Sequence, residues 1–379
     1  MIYLNHAATT WPKPQQVLDA AAQSLRELPA SQYRGATYNE HTQDTGKLCR
    51  GNLARLFQIE EPERIFFTGG STQALNMAIL GFCCTRKRIV YTAAEHNAVL
   101  RTIYDGLREE IAGGKVLPVE VGCDSSGYVD MKAMERAVDE DTALVIVNHS
   151  SNVTGAVQDI RQIGRWAREK GACFLADVSQ SAGALPLDVE DMCIDMLAFT
   201  GHKGLYGIQG TGGLYVRKGI PLRPLLYGGT GKDSRTLVPR EPFYEVGTMN
   251  MPGIAALNAG VEYVLDMGLE KIRESEKHLM KILYEGLREN RKVVLFGEKQ
   301  PEGTALSFTV PGLSPADVGY ILAGTYGIQV RTGLHCAPLI HKYLGTEKEG
   351  TVRVSVSFMT KPEEAEALVR AMEELTVGL

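Results

Sequence analysis

Three short stretches run from apolar residues into side chains that can hold a cofactor or move a proton. TALVIVNHSSN ends in Asn148, His149 and Asn152, CFLADVSQ ends in Asp177, Ser179 and Gln180, and IDMLAFTGHK ends in Thr200, His202 and Lys203. A fourth, ERIFFTGGST, delivers Ser71 and Thr72 just after two glycines, at the start of a helical pattern. A helix N-terminus of that kind is a ready phosphate site, because free backbone N–H groups and the helix dipole point at the anion. A fifth, KRIVYTAAEH, delivers His96. A phosphate cradle, a carboxylate, a lysine and an imidazole are what pyridoxal phosphate (PLP) requires. Its aldehyde needs a lysine for a Schiff base, its pyridine nitrogen an acid partner, its ring a flat neighbour and its phosphate donors. A nucleotide P-loop is the other reading of a glycine-rich phosphate segment. It fails here, because TGHKGLYGIQGTGG has His202 before the lysine and Gly204 after it.

The stretch VRTGLHCAPL holds Cys336 among an arginine, a histidine, a glycine and a proline, with no apolar periodicity. A packing cysteine sits in an apolar run. A reactive one needs exposure and nearby positive charge that favours the thiolate. Taken singly, Lys203 reads as a solvated lysine, Asp177 as a helix cap, His96 as a hydrogen-bonded histidine and Cys336 as a spectator. Their joint occurrence at successive strand ends carries the reading.

Those residues require elements that bring strand ends together. Short continuous apolar strands alternate with helical patterns such as IRQIGRWAREKG, which predicts a parallel sheet covered on both faces. In such α/β sheets ligands bind beyond the carboxyl ends of the strands. STQALNMAILGF is predicted to be a helix with a Ser/Thr cap. After about Met267 the pattern changes to a long charged helix (roughly 269–290), strands TALSFTV and TVRVSVS, and a last helix KPEEAEALVRAMEEL. The expected organisation is a large domain over 15–266 and a smaller α+β domain made of 1–14 and 267–379, which carries the Cys336 loop.

The 379 residues, 44% hydrophobic and 22% charged, are ordinary globular composition. A net charge of -5 without a basic run argues against a nucleic-acid partner. The first residues lack a signal-peptide pattern, and MAILGFCC is too short to span a bilayer. Seven cysteines with no C-x-x-C pair form neither a disulfide framework nor a zinc pattern, which points to a reducing cytoplasm. Cys49, Cys83, Cys84, Cys123, Cys173 and Cys193 read as packing residues.

The residues quoted above resemble the cysteine desulfurases of the class V aminotransferase superfamily, fold type I PLP enzymes, nearly end to end. YLNHAATT resembles the family's YLDNAATT. GSTQALN resembles its G-[ST]-T-x-x-x-N phosphate segment, EHNAVL its E-H-x-[AS] segment, SNVTG its S-N-x-x-G, and ADVSQSAG its D-x-[SA]-Q-[SA]. TGHKG resembles its [ST]-x-H-K lysine motif. The resemblance implies that Lys203 holds PLP as a Schiff base, Asp177 pairs with the pyridinium nitrogen, Gln180 bonds the phenolic oxygen and His96 stacks on the ring. Ser71, Thr72, Thr200 and His202 would hold the phosphate. EVGTMN would put Thr248 on the phosphate of a partner subunit, so a homodimer is implied. Asn152 and Ala8 would border the substrate, and Arg353 would clamp its carboxylate bidentately.

RTGLHCA resembles the R-x-G-x-H-C-A loop of the second, short-loop type of these enzymes. By that resemblance Cys336 takes sulfur from L-cysteine as a persulfide, leaving L-alanine, and passes it to an acceptor protein or small thiol for sulfur mobilisation such as iron–sulfur cluster assembly. Arg331 and His335 would favour its thiolate, and His96 would relay protons because an imidazole titrates near neutral pH. Asn5 and His6 depart from the family's Asp-Asn. Selenocysteine lyase, a transaminase or kynureninase-like hydrolase on the same fold, and a binding module without a Schiff base are the other readings.

Overall fold

The computed structural model describes residues 1–27, 44–229, 237–238, 244–297 and 299–377. Thirteen short strands are present among them. β1 is Ile2–Tyr3, β2 Ile65–Thr68, β3 Arg88–Thr92, β4 Leu117–Val121, β5 Thr142–Asn148, β6 Cys173–Asp177, β7 Met196–Thr200 and β8 Gly212–Val216. β9 is Val294–Leu295, β10 Ala305–Thr309, β11 Ile328–Gln329, β12 Arg331–Gly333 and β13 Thr351–Ser355. Seven form one sheet in the order β2-β8-β7-β6-β5-β3-β4. Only β8 runs against the others. The carboxyl ends of β2, β3, β5, β6 and β7 therefore share one edge. From β3 the chain goes outward to β4 and then back across to β5. Order reverses there, and a crevice opens at such a switch point.

The strands are apolar on both faces because both are covered. Val90, Val145, Phe174, Ala176, Leu197 and Phe199 pack with residues of the helices Thr45–Phe57, Ile160–Glu169 and Met251–Met267. Their neighbours Ile89, Tyr91, Leu144, Ile146, Leu175 and Met196 pack with Ala74, Leu75 and Ala78 of the helix Ser71–Gly81. The alternation is the two-residue repeat of a strand. Each Val, Leu, Ile, Phe or Met among them contributes about 1.5–3 kcal/mol by leaving water. The sheet edge thus stands on a rigid, fully buried base.

A second, four-stranded antiparallel sheet has the order β12-β13-β10-β9. Its core of Leu306, Phe308, Val352 and Val354 is closed by Leu279, Leu283 and Leu287 of the helix Leu269–Glu289 and by Leu368 and Met372 of the helix Pro362–Thr376. The N-terminus joins this core: Leu4 packs within it, and β1 pairs in parallel with β11. No helix among the described residues is long and apolar enough to cross a membrane.

Two local expectations change. The helix at Ser71 has no side-chain cap: its N-cap is Gly70, at φ 141°. Only glycine adopts that backbone readily, and the turn leaves the first N–H groups free, which suits an anion better than a Ser/Thr cap would. The segment before Cys336 is not all loop. Arg331–Gly333 is a strand, and Arg331 lies directly opposite Arg353 on β13.

Candidate functional site

Asn148 and Asp177 end adjacent strands and are register partners. Asp177 is buried, and its Oδ1 accepts from the Ser179 N–H at 2.9 Å and the Ser179 hydroxyl at 2.5 Å. Its Oδ2 makes no hydrogen bond with any described residue and is left for a cation. Lys203 follows β7 in a loop whose place is set by backbone contact. Gly183 sits at φ 80°, and a Cβ there would lie 2.2 Å from the Gly204 carbonyl, so only glycine lets the two loops touch. The N-terminal segment pins the same loop: the Thr10 hydroxyl donates to the Lys203 carbonyl at 2.8 Å, and Lys13 Nζ donates to the His202 carbonyl at 2.8 Å. Burial draws the Lys203 amine down to about 8, with Asp177 opposing the shift. A substantial neutral fraction near pH 7–8 makes it a usable nucleophile and base.

His96 caps the helix Asn97–Arg101, its Nδ1 accepting the Ala98 N–H at 3.0 Å. Burial pulls it down to about 4, with Lys203, Arg331 and Arg101 adding to the shift and Asp177 opposing it. The ring is therefore neutral at pH 7 and carries its proton on Nε2. The expectation of an imidazole titrating near neutral pH does not hold. A flat, neutral ring is what the positively charged crevice leaves, and it suits stacking.

The uncapped turn at Gly70 faces Thr200: a Cβ on Gly70 would stand 3.7 Å from the Thr200 hydroxyl oxygen. Ser71 and Thr72 open the helix there. His202 Nδ1 is buried without a partner among the described residues. Asn152 gives its Nδ2 to the His335 carbonyl at 2.6 Å, while its Oδ1 is buried and unpartnered. Gln180 donates to the Ala7 carbonyl at 3.0 Å, and Ala8 lies in the turn that follows, its N–H on the Asn5 carbonyl at 3.0 Å. Thr248 is exposed and forms no hydrogen bond with any described residue.

Arg353 is fully buried, with Nη1 on the Asn152 carbonyl at 2.8 Å and Nη2 on Asn5 Oδ1 at 2.9 Å. Cys336 is part-exposed, and Arg331 Nη2 donates to its Sγ at 3.0 Å. The Asn97 N–H donates to the Cys336 carbonyl at 2.7 Å, which stitches this loop to the residue after His96. His335 and Cys336 have φ of 50° and 62°. Such strained backbone costs on the order of 1–3 kcal/mol per residue and collects at functional sites. His335 does not charge the cysteine. It is buried against the Thr351 hydroxyl at 2.9 Å, and burial, helped by Arg353, His341 and Arg331, pushes it down to about 2. The cation hydrogen-bonded to Cys336 is Arg331, and Lys203 and Arg353 also act on it through charge.

Three features lacked a role in the sequence. Glu95 is fully buried, accepts from the Thr92 hydroxyl at 2.6 Å and the Asn148 N–H at 2.8 Å, and is pushed up to about 8 by burial. Its signal was its place beside His96. Lys13 and the contact of Asn5 with Arg353 need the fold, because their partners lie far along the chain. Among the other cysteines, Cys49, Cys123, Cys173 and Cys193 are buried as expected. Cys83 and Cys84 are not packing residues: Cys84 is exposed, and Cys83 Sγ receives Arg223 Nε at 3.0 Å. The pair ends the helix Ser71–Gly81 at the surface, where an apolar sequence run gives no sign of exposure.

A doubly covered, mostly parallel sheet with a lysine, a carboxylate and an open helix N-terminus at one edge is the architecture of a fold type I PLP enzyme. The family model for aminotransferase class V matches residues 2–368. The chain belongs to that family. It is 34% identical over 386 residues to a protein named probable cysteine desulfurase from Methanothermobacter thermautotrophicus, covering 99% of this chain and 94% of the relative. The apo structure of a cysteine desulfurase from Thermococcus onnurineus superposes with a TM-score of 0.86 at 32% identity, covering 100% of this chain and 95% of that one. A cysteine desulfurase from Escherichia coli, solved in its S-sulfonic acid form, gives 0.86 at 25% identity over 98% of this chain and 94% of its own.

Proposed function

We propose that this chain is a PLP-dependent cysteine desulfurase that converts L-cysteine to L-alanine and carries the sulfur on Cys336. The observation that carries the reading is the loop: Cys336 Sγ is held by the Arg331 guanidinium at 3.0 Å, and its carbonyl is tied to Asn97 beside His96. Transamination and hydrolysis need no such cysteine.

The residues present fit PLP. Asp177 Oδ2 is open for a ring N–H, and the free helix N-terminus at Ser71 and Thr72, with Thr200 and His202, offers donors to a phosphate. Gln180, now on the Ala7 carbonyl, would turn to the ring oxygen, His96 would cover the ring, and Thr248 would serve the phosphate of a second subunit in a homodimer. When bound, the cofactor supplies an electron sink that makes the substrate Cα–H acidic and the Cβ–S bond labile.

Arg353 receives the substrate carboxylate, with Asn152 and Ala8 alongside. Lys203 Nζ, its amine drawn down by burial, takes the Cα proton. Cys336 Sγ attacks the substrate sulfur as a thiolate. An S–S bond forms, the Cβ–S bond breaks with its electron pair left on the substrate, and Cβ is then protonated. Cys336 is left as a persulfide, which an acceptor thiol removes. Arg331 keeps a donor on the sulfur throughout. His96, neutral with its proton on Nε2, orients the ring and is a poor acid at pH 7. Free thiols among all described cysteines support work in a reducing compartment.

The test is turnover of L-cysteine with a reductant, assaying sulfide and alanine, beside Cys336→Ala. Equimolar products, with the variant inactive yet still yellow, are expected. A Cys336→Ala protein that releases sulfide at the wild-type rate would overturn the role of Cys336. Preference for selenocysteine would move the substrate and keep the site.

A further inference from the structure

Asn5 stands where the motif it resembles has aspartate, and its side chain lies on Arg353. The two protein acceptors on that guanidinium are the Asn5 amide oxygen at 2.9 Å and the Asn152 carbonyl at 2.8 Å. Both are neutral. Arg353 is 0% exposed, its Nε has no partner, and no Asp or Glu among the described residues pairs with it. Directly across the β12–β13 ribbon stands a second guanidinium, Arg331, which has no carboxylate among the described residues and is bonded instead to Cys336 Sγ. Like charges opposite one another destabilise a sheet, and a buried charge without a counter-charge costs more. Burial of that kind favours an anion at Arg353. The aim of Asn5 is fixed by backbone: it bridges in parallel to Ser355, the Ser355 hydroxyl accepts the Ala7 N–H at 2.9 Å, and the Tyr3 hydroxyl donates to the Asn5 carbonyl at 3.2 Å.

We propose that Asn5 is a positioning residue that holds the Arg353 guanidinium with a neutral acceptor, so that no carboxylate among the described residues competes with that of the substrate. This rests on the reading of Arg353 as the carboxylate-binding group. An aspartate at position 5 would form the ion pair itself and repel the incoming carboxylate. The amide keeps the geometry and removes the competitor, so Asn5 sets affinity for the carboxylate rather than the rate of bond breaking.

The test is the Kd of 3-mercaptopropionate for the holoenzyme by titration calorimetry; this probe has the carboxylate and thiol of cysteine and no amine. KM and kcat for L-cysteine are measured beside it, on Asn5→Asp, Asn5→Ala and Arg353→Gln. Asn5→Asp is expected to raise both Kd and KM by about tenfold, the worth of one charge-assisted contact, with a far smaller change in kcat. Asn5→Ala adds no charge and is expected to raise Kd clearly less. If Arg353→Gln leaves Kd unchanged, the carboxylate binds elsewhere and the reading of Arg353 fails with the proposal. If Arg353→Gln weakens binding while Asn5→Asp binds like wild type, the Asn5 proposal alone is overturned. Equal losses in Asn5→Ala and Asn5→Asp would also overturn it, because added charge would then not be the cause.

Discussion

Arg331 decides the character of Cys336. Its guanidinium is the charged group hydrogen-bonded to the sulfur, while the nearer residue in sequence, His335, is held neutral by burial. Sequence proximity named both, and only the fold could separate them: a histidine facing Thr351 inside the small sheet cannot charge a neighbour. Arg331→Gln is expected to slow alkylation of Cys336 by iodoacetamide at pH 7 by about tenfold. An unchanged rate would mean that the guanidinium contact does not govern the sulfur. The residue types at the strand ends were legible because each chemistry needs a particular side chain. What each one touches was not, and the reassignment of His96 to a neutral ring depended first on its burial, with Lys203 and Arg331 from distant segments adding to it.

Elements place these residues with backbone rather than side chains. Gly70 is the clearest case, since its φ of 141° turns β2 into the helix at Ser71 and leaves that helix uncapped. Gly70→Ala is expected to lower the melting temperature of the apoprotein and to weaken PLP binding about tenfold, from a strain on the order of 1–3 kcal/mol. Fluorescence titration with the cofactor measures this, and wild-type affinity would show that the turn is not what leaves the donors free. The apolar runs and their glycine ends made the parallel strands readable. The reversed strand β8 was not, because GGLYV has the same apolar character as its parallel neighbours. The strand Arg331–Gly333 was hidden for the opposite reason: it is three residues long and acquires its pairing from β13.

The N-terminal segment and the C-terminal sheet share one core and close on the large sheet around buried charge. Glu276, on the helix Leu269–Glu289, is pushed up to about 8 by burial, with a hydrogen bond from the Phe358 backbone opposing the shift. Between its ordinary value of 4.5 and about 8 the folded chain holds this proton and the unfolded chain does not, so stability falls as pH rises through that window. Glu95 acts in the same direction. The buried histidines His6, His149 and His202, each drawn down to about 4 mainly by burial, act in the opposite direction below 6.5. The expected outcome is a melting temperature that, relative to Glu276→Gln, falls from pH 6.5 to 8. A variant whose decline matches wild type would remove Glu276 as a source. None of this was visible in composition, because a net charge of -5 does not say which carboxyls are buried. The chemistry turns on one sulfur atom, which peptide mass spectrometry follows after L-cysteine is added without reductant. One added sulfur on the Cys336 peptide is expected, absent in Lys203→Ala. Sulfide release with Cys336 unmodified, or added sulfur on exposed Cys84 instead, would contradict it.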